Sequence, residues 1–134
     1  MRRAFGVAGS AGLLVLGAAT SAYAADGSME TDDLFPGGKV TWTKYGDIIT
    51  ACDQDADGHA ASVSVNYYKG GQYYGYSLTA GGNGTCKTRR ASDGGVYNLP
   101  EGAMIKIEIC LAKDNSNGVA VYTYCDTAYY DNNA

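Results

Sequence analysis

Between Lys39 and Asp126 no segment sustains an apolar repeat of 3.6 residues. Glycine, asparagine and aspartate interrupt the chain every few positions. What remains is a series of short runs rich in Val, Ile, Thr and Tyr, residues that suit a pleated, half-buried surface. Such runs fall near 39–45, 47–52, 59–68, 72–80, 85–90, 96–99, 103–112 and 119–126. Seven or eight strands in about 100 residues predict an all-β domain, a small antiparallel β-sandwich or a small barrel.

Two hairpins can be placed in register. In SVSVNYYKGGQYYGYSL, Gly70-Gly71 supply the positive φ of a tight primed turn. A two-residue loop sets Tyr68 opposite Tyr73, Tyr67 opposite Tyr74, Val65 opposite Tyr76 and Val63 opposite Leu78. Alternation then sends Val63, Val65, Tyr67, Tyr74, Tyr76 and Leu78 to the core, and leaves Tyr68 and Tyr73 as a pair in water. In the second hairpin, Ile105, Ile107, Ile109 and Leu111 share the core face. If Asn117-Gly118 forms a two-residue loop, Cys110 lies opposite Cys125. The polar run Asp114-Asn115-Ser116 could lengthen the loop and shift that register by a residue or two.

The four cysteines, at 52, 86, 110 and 125, allow three pairings. The hairpin favours Cys110–Cys125, which leaves Cys52–Cys86. On the loop-entropy model these bridges stabilise by roughly 3 and 4 kcal/mol, respectively. Disulfides persist outside the cytoplasm, and the amino terminus points the same way. Arg2-Arg3, an apolar run from Ala4 to Ala19 and Ala22-Tyr23-Ala24 form a secretory signal peptide over residues 1–24, with cleavage after Ala24. The mature chain is then secreted, with one domain's worth of residues. Residues 25–38 (ADGSMETDDLFPGG) show no periodicity and read as a flexible acidic leader. The β domain spans 39–126 and a C-terminal tail 127–134.

Loss of Arg2 and Arg3 takes the net charge from −4 to −6. So acidic a domain repels phosphate backbones and anionic lipid, so neither nucleic acid nor a membrane surface is the expected partner. No later segment is apolar enough to span a bilayer, and a monomer is expected.

The sharpest local motif is Asp53-Gln54-Asp55-Ala56-Asp57-Gly58. Three alternating carboxylates around a glycine turn can converge on calcium, the one cofactor the sequence suggests. The EF-hand pattern would close with an acid at its twelfth place, here Ser64. The competing reading is an acidic turn between strands. His59 follows directly, yet no G-x-S-x-G elbow accompanies it, and no carboxylate pair stands out for glycoside hydrolysis. No catalytic residue is assigned. Eleven mature tyrosines are the other unusual feature. Tyr68, Tyr73, Tyr129 and Tyr130 are the ligand-binding candidates, because register or tail position leaves them outside, where tyrosine stacks on sugars or anchors a protein partner. Asn83-Gly84-Thr85 matches a glycosylation signal and equally an Asn-Gly turn. Arg89-Arg90 is too short for a basic patch.

Taken together, Cys52-Asp53, Ala56-Asp57-Gly58-His59, Gly84-Thr85-Cys86, Asn98-Leu99-Pro100-Glu101-Gly102 and Ile107-Glu108-Ile109-Cys110 resemble a group of small secreted two-disulfide actinobacterial proteins of undefined function. The resemblance covers most of residues 40–125 and implies export and a two-bridge β domain, with no activity attached. Small secreted amylase and protease inhibitors are similar in general class only; their cysteine spacing and reactive tripeptides do not match. The expectation is therefore a secreted, non-catalytic binding module, inhibitor-like in kind, for an extracellular protein or glycan. A calcium-binding structural or cell-surface-associated protein is the alternative, and a cryptic hydrolase the third.

Overall fold

The computed structural model describes residues 25–134; the expected signal peptide, 1–24, lies outside them. Eight strands form: β1 (Gly27–Glu30), β2 (Gly38–Thr43), β3 (Ile48–Asp53), β4 (Ala60–Lys69), β5 (Gln72–Ala80), β6 (Cys86–Arg89), β7 (Met104–Asp114) and β8 (Ala120–Asp131). They build two antiparallel four-stranded sheets, ordered β1-β2-β3-β6 and β5-β4-β7-β8. The sheets pack face to face as a β-sandwich. Alternation along β2, β3, β4 and β7 points Val40, Ile49, Val63, Val65, Ile105, Ile107 and Ile109 into the space between them, where each is fully buried. Among the described residues no helix is long and apolar enough to cross a membrane.

The β4–β5 hairpin has the expected register, with Tyr67 opposite Tyr74 and Tyr68 opposite Tyr73. Gly70 and Gly71 sit at φ 59° and 78° in its turn, a conformation that costs a side-chain-bearing residue. Both disulfides form as expected, Cys52–Cys86 and Cys110–Cys125, with Cα atoms 4.1 Å apart in each.

Three expectations change. Residues 25–38 are not simply a leader. Gly27–Glu30 pairs with β2 at the sheet edge, Met29 packs against the core, and Gly27 lies against the Trp42 indole, where a Cβ would collide with the ring. Residues 127–134 are not simply a tail either. Strand β8 continues to Asp131, and Tyr130 is buried with its ring stacked on Trp42, centroids 5.7 Å apart. Finally, residues 96–99 form no strand. Gly94 and Gly95, both at positive φ, coil the chain into two short 3-10 turns, Ala91–Asp93 and Gly95–Tyr97.

The second hairpin slips and then recovers. Asn115 Oδ1 accepts the N–H groups of Asn117 (2.9 Å) and Val119 (3.0 Å), and Asn115 N–H donates to the Val119 carbonyl (2.8 Å). These bonds make the loop one residue longer than the Asn-Gly turn alone, so Leu111 faces Thr123 and Ala112 faces Tyr122. A bulge at Tyr124, with φ 52°, absorbs the extra residue, and Ile109 then faces Asp126. Cys125 thereby returns to within reach of Cys110.

A buried carboxylate ties one end of the sandwich together. Asp47, in the β2–β3 turn, accepts the Leu99 N–H (2.9 Å) and the Asn132 Nδ2 (3.0 Å). Asn132 is fully buried and also donates to the Leu99 and Pro100 carbonyls. One knot thus holds a turn, the 98–102 loop and the end of the chain. Asp47 sits at φ 51°, which Asn tolerates as well as Asp does.

Two outcomes are expected. Replacing Cys52 and Cys86 together by Ser removes a bridge between residues 34 apart and should cost about 4 kcal/mol, seen as a large fall in melting temperature. Asp47→Asn keeps the backbone but puts a donor against a donor, and should cost about 1–3 kcal/mol in urea unfolding. Burial raises the Asp47 carboxyl above its ordinary 3.8, and the hydrogen bonds from Asn132 and Leu99 only partly offset this. The native state therefore binds that proton more readily than the unfolded chain. Its contribution is full below about pH 3.8 and is lost as pH rises through the elevated native value. The stability gap between wild type and Asp47→Asn should widen as pH falls from 7 towards 4; a narrowing gap would contradict this assignment.

Candidate ligand-binding face

The sheet β5-β4-β7-β8 turns one face to the core and the other outward. Period-two alternation lays Ser62, Ser64 and Asn66 of β4 beside Gly75, Ser77 and Thr79 of β5 on the outer face. On β7 the outer positions are Met104, Lys106, Glu108, Cys110 and Ala112. Over β4 and β5 the floor is therefore small and largely hydroxylated, and the longer Met104, Lys106 and Glu108 stand on β7.

Tyrosines border that floor. Tyr68 and Tyr73 stand at the β4–β5 tip, 68% and 56% exposed, with ring centroids 4.8 Å apart in an edge-to-face pair. Tyr129, opposite Lys106 on β8, is 62% exposed. Three of the four candidate tyrosines thus share this face. The fourth, Tyr130, points into the core, and burial raises its hydroxyl well above the usual phenol range. Tyr122 takes its place. Opposite Ala112 and half exposed, it walls two adjoining hollows.

The larger hollow, about 680 Å³, lies between Tyr122, the Asp55–His59 loop and the Gly81–Asn83 loop, with Ala60, Ser62, Thr79 and Ala112 beneath. The smaller, about 320 Å³, runs on over Ser62, Ser64, Ser77, Glu108 and the Cys110–Cys125 bridge. Because Ser62 and Tyr122 line both, they form one groove along the sheet. Its volume falls in the range of small-ligand sites. Charges at its rim are mixed, Lys113 against Asp55 and Asp114.

Tyr122 escaped the sequence reading because of the loop slip. With a two-residue Asn-Gly turn it would oppose Lys113 and face inward; one residue of slip moves it to the opposite face. The signal that could have revealed it is Asn115, placed to build the longer loop with its side chain.

The acidic loop is organised by backbone hydrogen bonds. Asp53 is buried; one carboxylate oxygen accepts the Gly82 N–H (2.8 Å), the other the Asp55 N–H (3.2 Å). Asp57 Oδ1 accepts the His59 N–H (2.9 Å), and its Oδ2 lies 3.7 Å from His59 Nδ1. The structure does not gather Asp53, Asp55 and Asp57 into one cluster. Among the described residues the one grouping of metal-ligand type is Glu108 with Cys110 and Cys125, whose sulfurs are joined to each other. His59 is turned to Asp57 through the carbonyl oxygen as well, at 3.2 Å. Asn83-Gly84-Thr85 forms a tight turn at the groove rim, closed by Thr85 N–H and Oγ1 to the Gly82 carbonyl (2.9 and 2.6 Å). Arg89 leaves its neighbour and lies over the Tyr97 ring, 4.7 Å from its centroid.

Comparison of the chain with protein-family models, with curated proteins and with solved structures finds no match.

With Asp53 and Asp57 already accepting backbone N–H groups, chelation should leave the fold untouched. A melting curve with EDTA is expected to overlay the curve without it. A clear fall in melting temperature, restored by calcium, would put an ion on the 53–58 loop.

Proposed function

We propose that the mature chain is an exported, non-catalytic module that binds an extracellular glycan along the outer face of the β5-β4-β7-β8 sheet. Two disulfides support an oxidising, extracellular setting; the signal peptide over 1–24 and its cleavage after Ala24 belong to the same proposal. The observation that carries the reading is the groove itself, a hydroxylated floor walled by Tyr122, on a sheet face that also exposes Tyr68, Tyr73 and Tyr129.

Such a surface suits sugars for two reasons. A pyranose presents an apolar face that stacks on a tyrosine ring, and its hydroxyls exchange hydrogen bonds with Ser, Thr and Asn in place of water. The spread of Tyr122, Tyr129, Tyr68 and Tyr73 along one face favours an extended chain over a compact ligand.

Affinity electrophoresis through gels cast with soluble polysaccharides tests the proposal. At least one polysaccharide should retard the wild type. Tyr122→Ala with Tyr129→Ala should weaken retardation roughly ten-fold or more, and Tyr68→Ala with Tyr73→Ala should weaken it further. As these side chains are exposed, stability should change by only about 0.5 kcal/mol per site. If retardation survives both double substitutions, the groove is not the binding face; if no polysaccharide retards the wild type, the glycan assignment is wrong.

A further inference from the structure

The β1–β2 loop, residues 31–37, combines two properties that oppose each other in a loop without a partner. Its tip exposes two large apolar side chains, Leu34 at 88% and Phe35 at 76%. Its frame is nevertheless tied down on both sides of them. Thr31 N–H donates to the Gly38 carbonyl (3.0 Å), and Gly38 N–H donates to Thr31 Oγ1 (3.1 Å). The Asp33 carboxylate spans the loop, accepting Thr31 Oγ1–H (2.5 Å) and the Gly37 N–H (3.2 Å). Outside it, Asp32 N–H donates to the Tyr124 carbonyl (3.0 Å) and Gln54 N–H to the Gly37 carbonyl (2.7 Å). The Gln54 side chain adds a longer contact to the Pro36 carbonyl (3.4 Å).

From this we infer that the loop is a preformed inhibitory segment that seats Phe35 in the apolar specificity pocket of an extracellular endopeptidase, with Leu34 in the subsite beside it. Held in place before binding, the tip loses little conformational freedom on docking, the main cost a flexible peptide would meet. The Phe35–Pro36 amide resists cleavage, because its nitrogen carries no hydrogen and is locked in a ring. The complex is thus substrate-like and non-covalent, with no bond made or broken. Residues 25–38 hold four acids and no base, so the partner's rim is cationic. The same acids disfavour an anionic bilayer, the other surface that could take up a Leu-Phe tip. The inference shares only the premise of export with the glycan proposal, and it uses a different surface.

Chymotrypsin, whose pocket is a hydrophobic slot, and trypsin, whose pocket holds a carboxylate, serve as probes with chromogenic peptides. The wild type should inhibit chymotrypsin competitively at micromolar concentration, spare trypsin, and keep its mass after prolonged incubation. Phe35→Ala should weaken inhibition roughly thirty-fold or more, a hot-spot loss. Phe35→Lys should transfer inhibition from chymotrypsin to trypsin, an outcome that misfolding could not produce. The inference fails if the wild type leaves chymotrypsin unaffected, if all three proteins inhibit alike, or if the loop is quickly cut. It fails equally if Phe35→Ala abolishes only sedimentation with vesicles of phosphatidylcholine and phosphatidylglycerol, which would assign the tip to lipid. Each of these outcomes leaves the glycan proposal standing on Tyr122 and Tyr129.

Discussion

Strand β3 is bracketed by buried carboxylates, Asp47 just before it and Asp53 at its end. A charge taken out of water must be met by hydrogen bonds, and each of these acids meets that demand with at least one group distant in sequence. Asp47 gathers Leu99 and Asn132; Asp53 gathers Gly82 and Asp55. Since β3 is an interior strand of its sheet, these bonds fasten the loops at both ends of the sandwich to its middle. The loops that flank the groove and the apolar tip are therefore held by side-chain chemistry rather than by the sheets alone. Backbone bonds complete the frame at the Asp53 end, from Asp53 to Thr85, Gly84 to Asp53 and Gln54 to Gly37.

The two surfaces of interest have different physical origins. The groove exists because alternation puts small polar residues on the outside of β4 and β5, leaving room above the sheet. Its aromatic wall exists because a local event, the Asn115-built loop, rotates the first half of β8 by one residue. The bulge at Tyr124 confines that rotation to the hairpin, so Tyr129 keeps the face that the rest of the ladder assigns to it. The same bulge presents the Tyr124 carbonyl to Asp32 and so helps to anchor the β1–β2 loop. One irregular residue thus contributes to both surfaces.

Much was legible before the structure. The β4–β5 register followed from Gly70-Gly71 and strict alternation, since a slip would have put Val63 and Val65 in water. Hairpin geometry favoured Cys110–Cys125, and Cys52–Cys86 followed as the remaining pair. Less legible were the chain ends. GSME has one large apolar residue in four, too few to display a period, and its place in the sheet rests on pairing with β2 and on Gly27 lying against Trp42. Tyr130 and Asn132 looked like tail because nothing local shows that a core and a carboxylate await them.

The amino-acid sequence by itself determined an all-β chain, its central hairpin, its two bridges and the outward Tyr68–Tyr73 pair, because each depends on neighbours in sequence or on period-two alternation. Tertiary structure alone decided that residues 31–37 form a braced loop, that Tyr122 faces out while Tyr130 faces in, and that Asp53 spends a carboxylate oxygen on the Gly82 N–H. Those outcomes depend on partners tens of residues away, on a loop length set by one asparagine side chain, and on the burial that only packed sheets create.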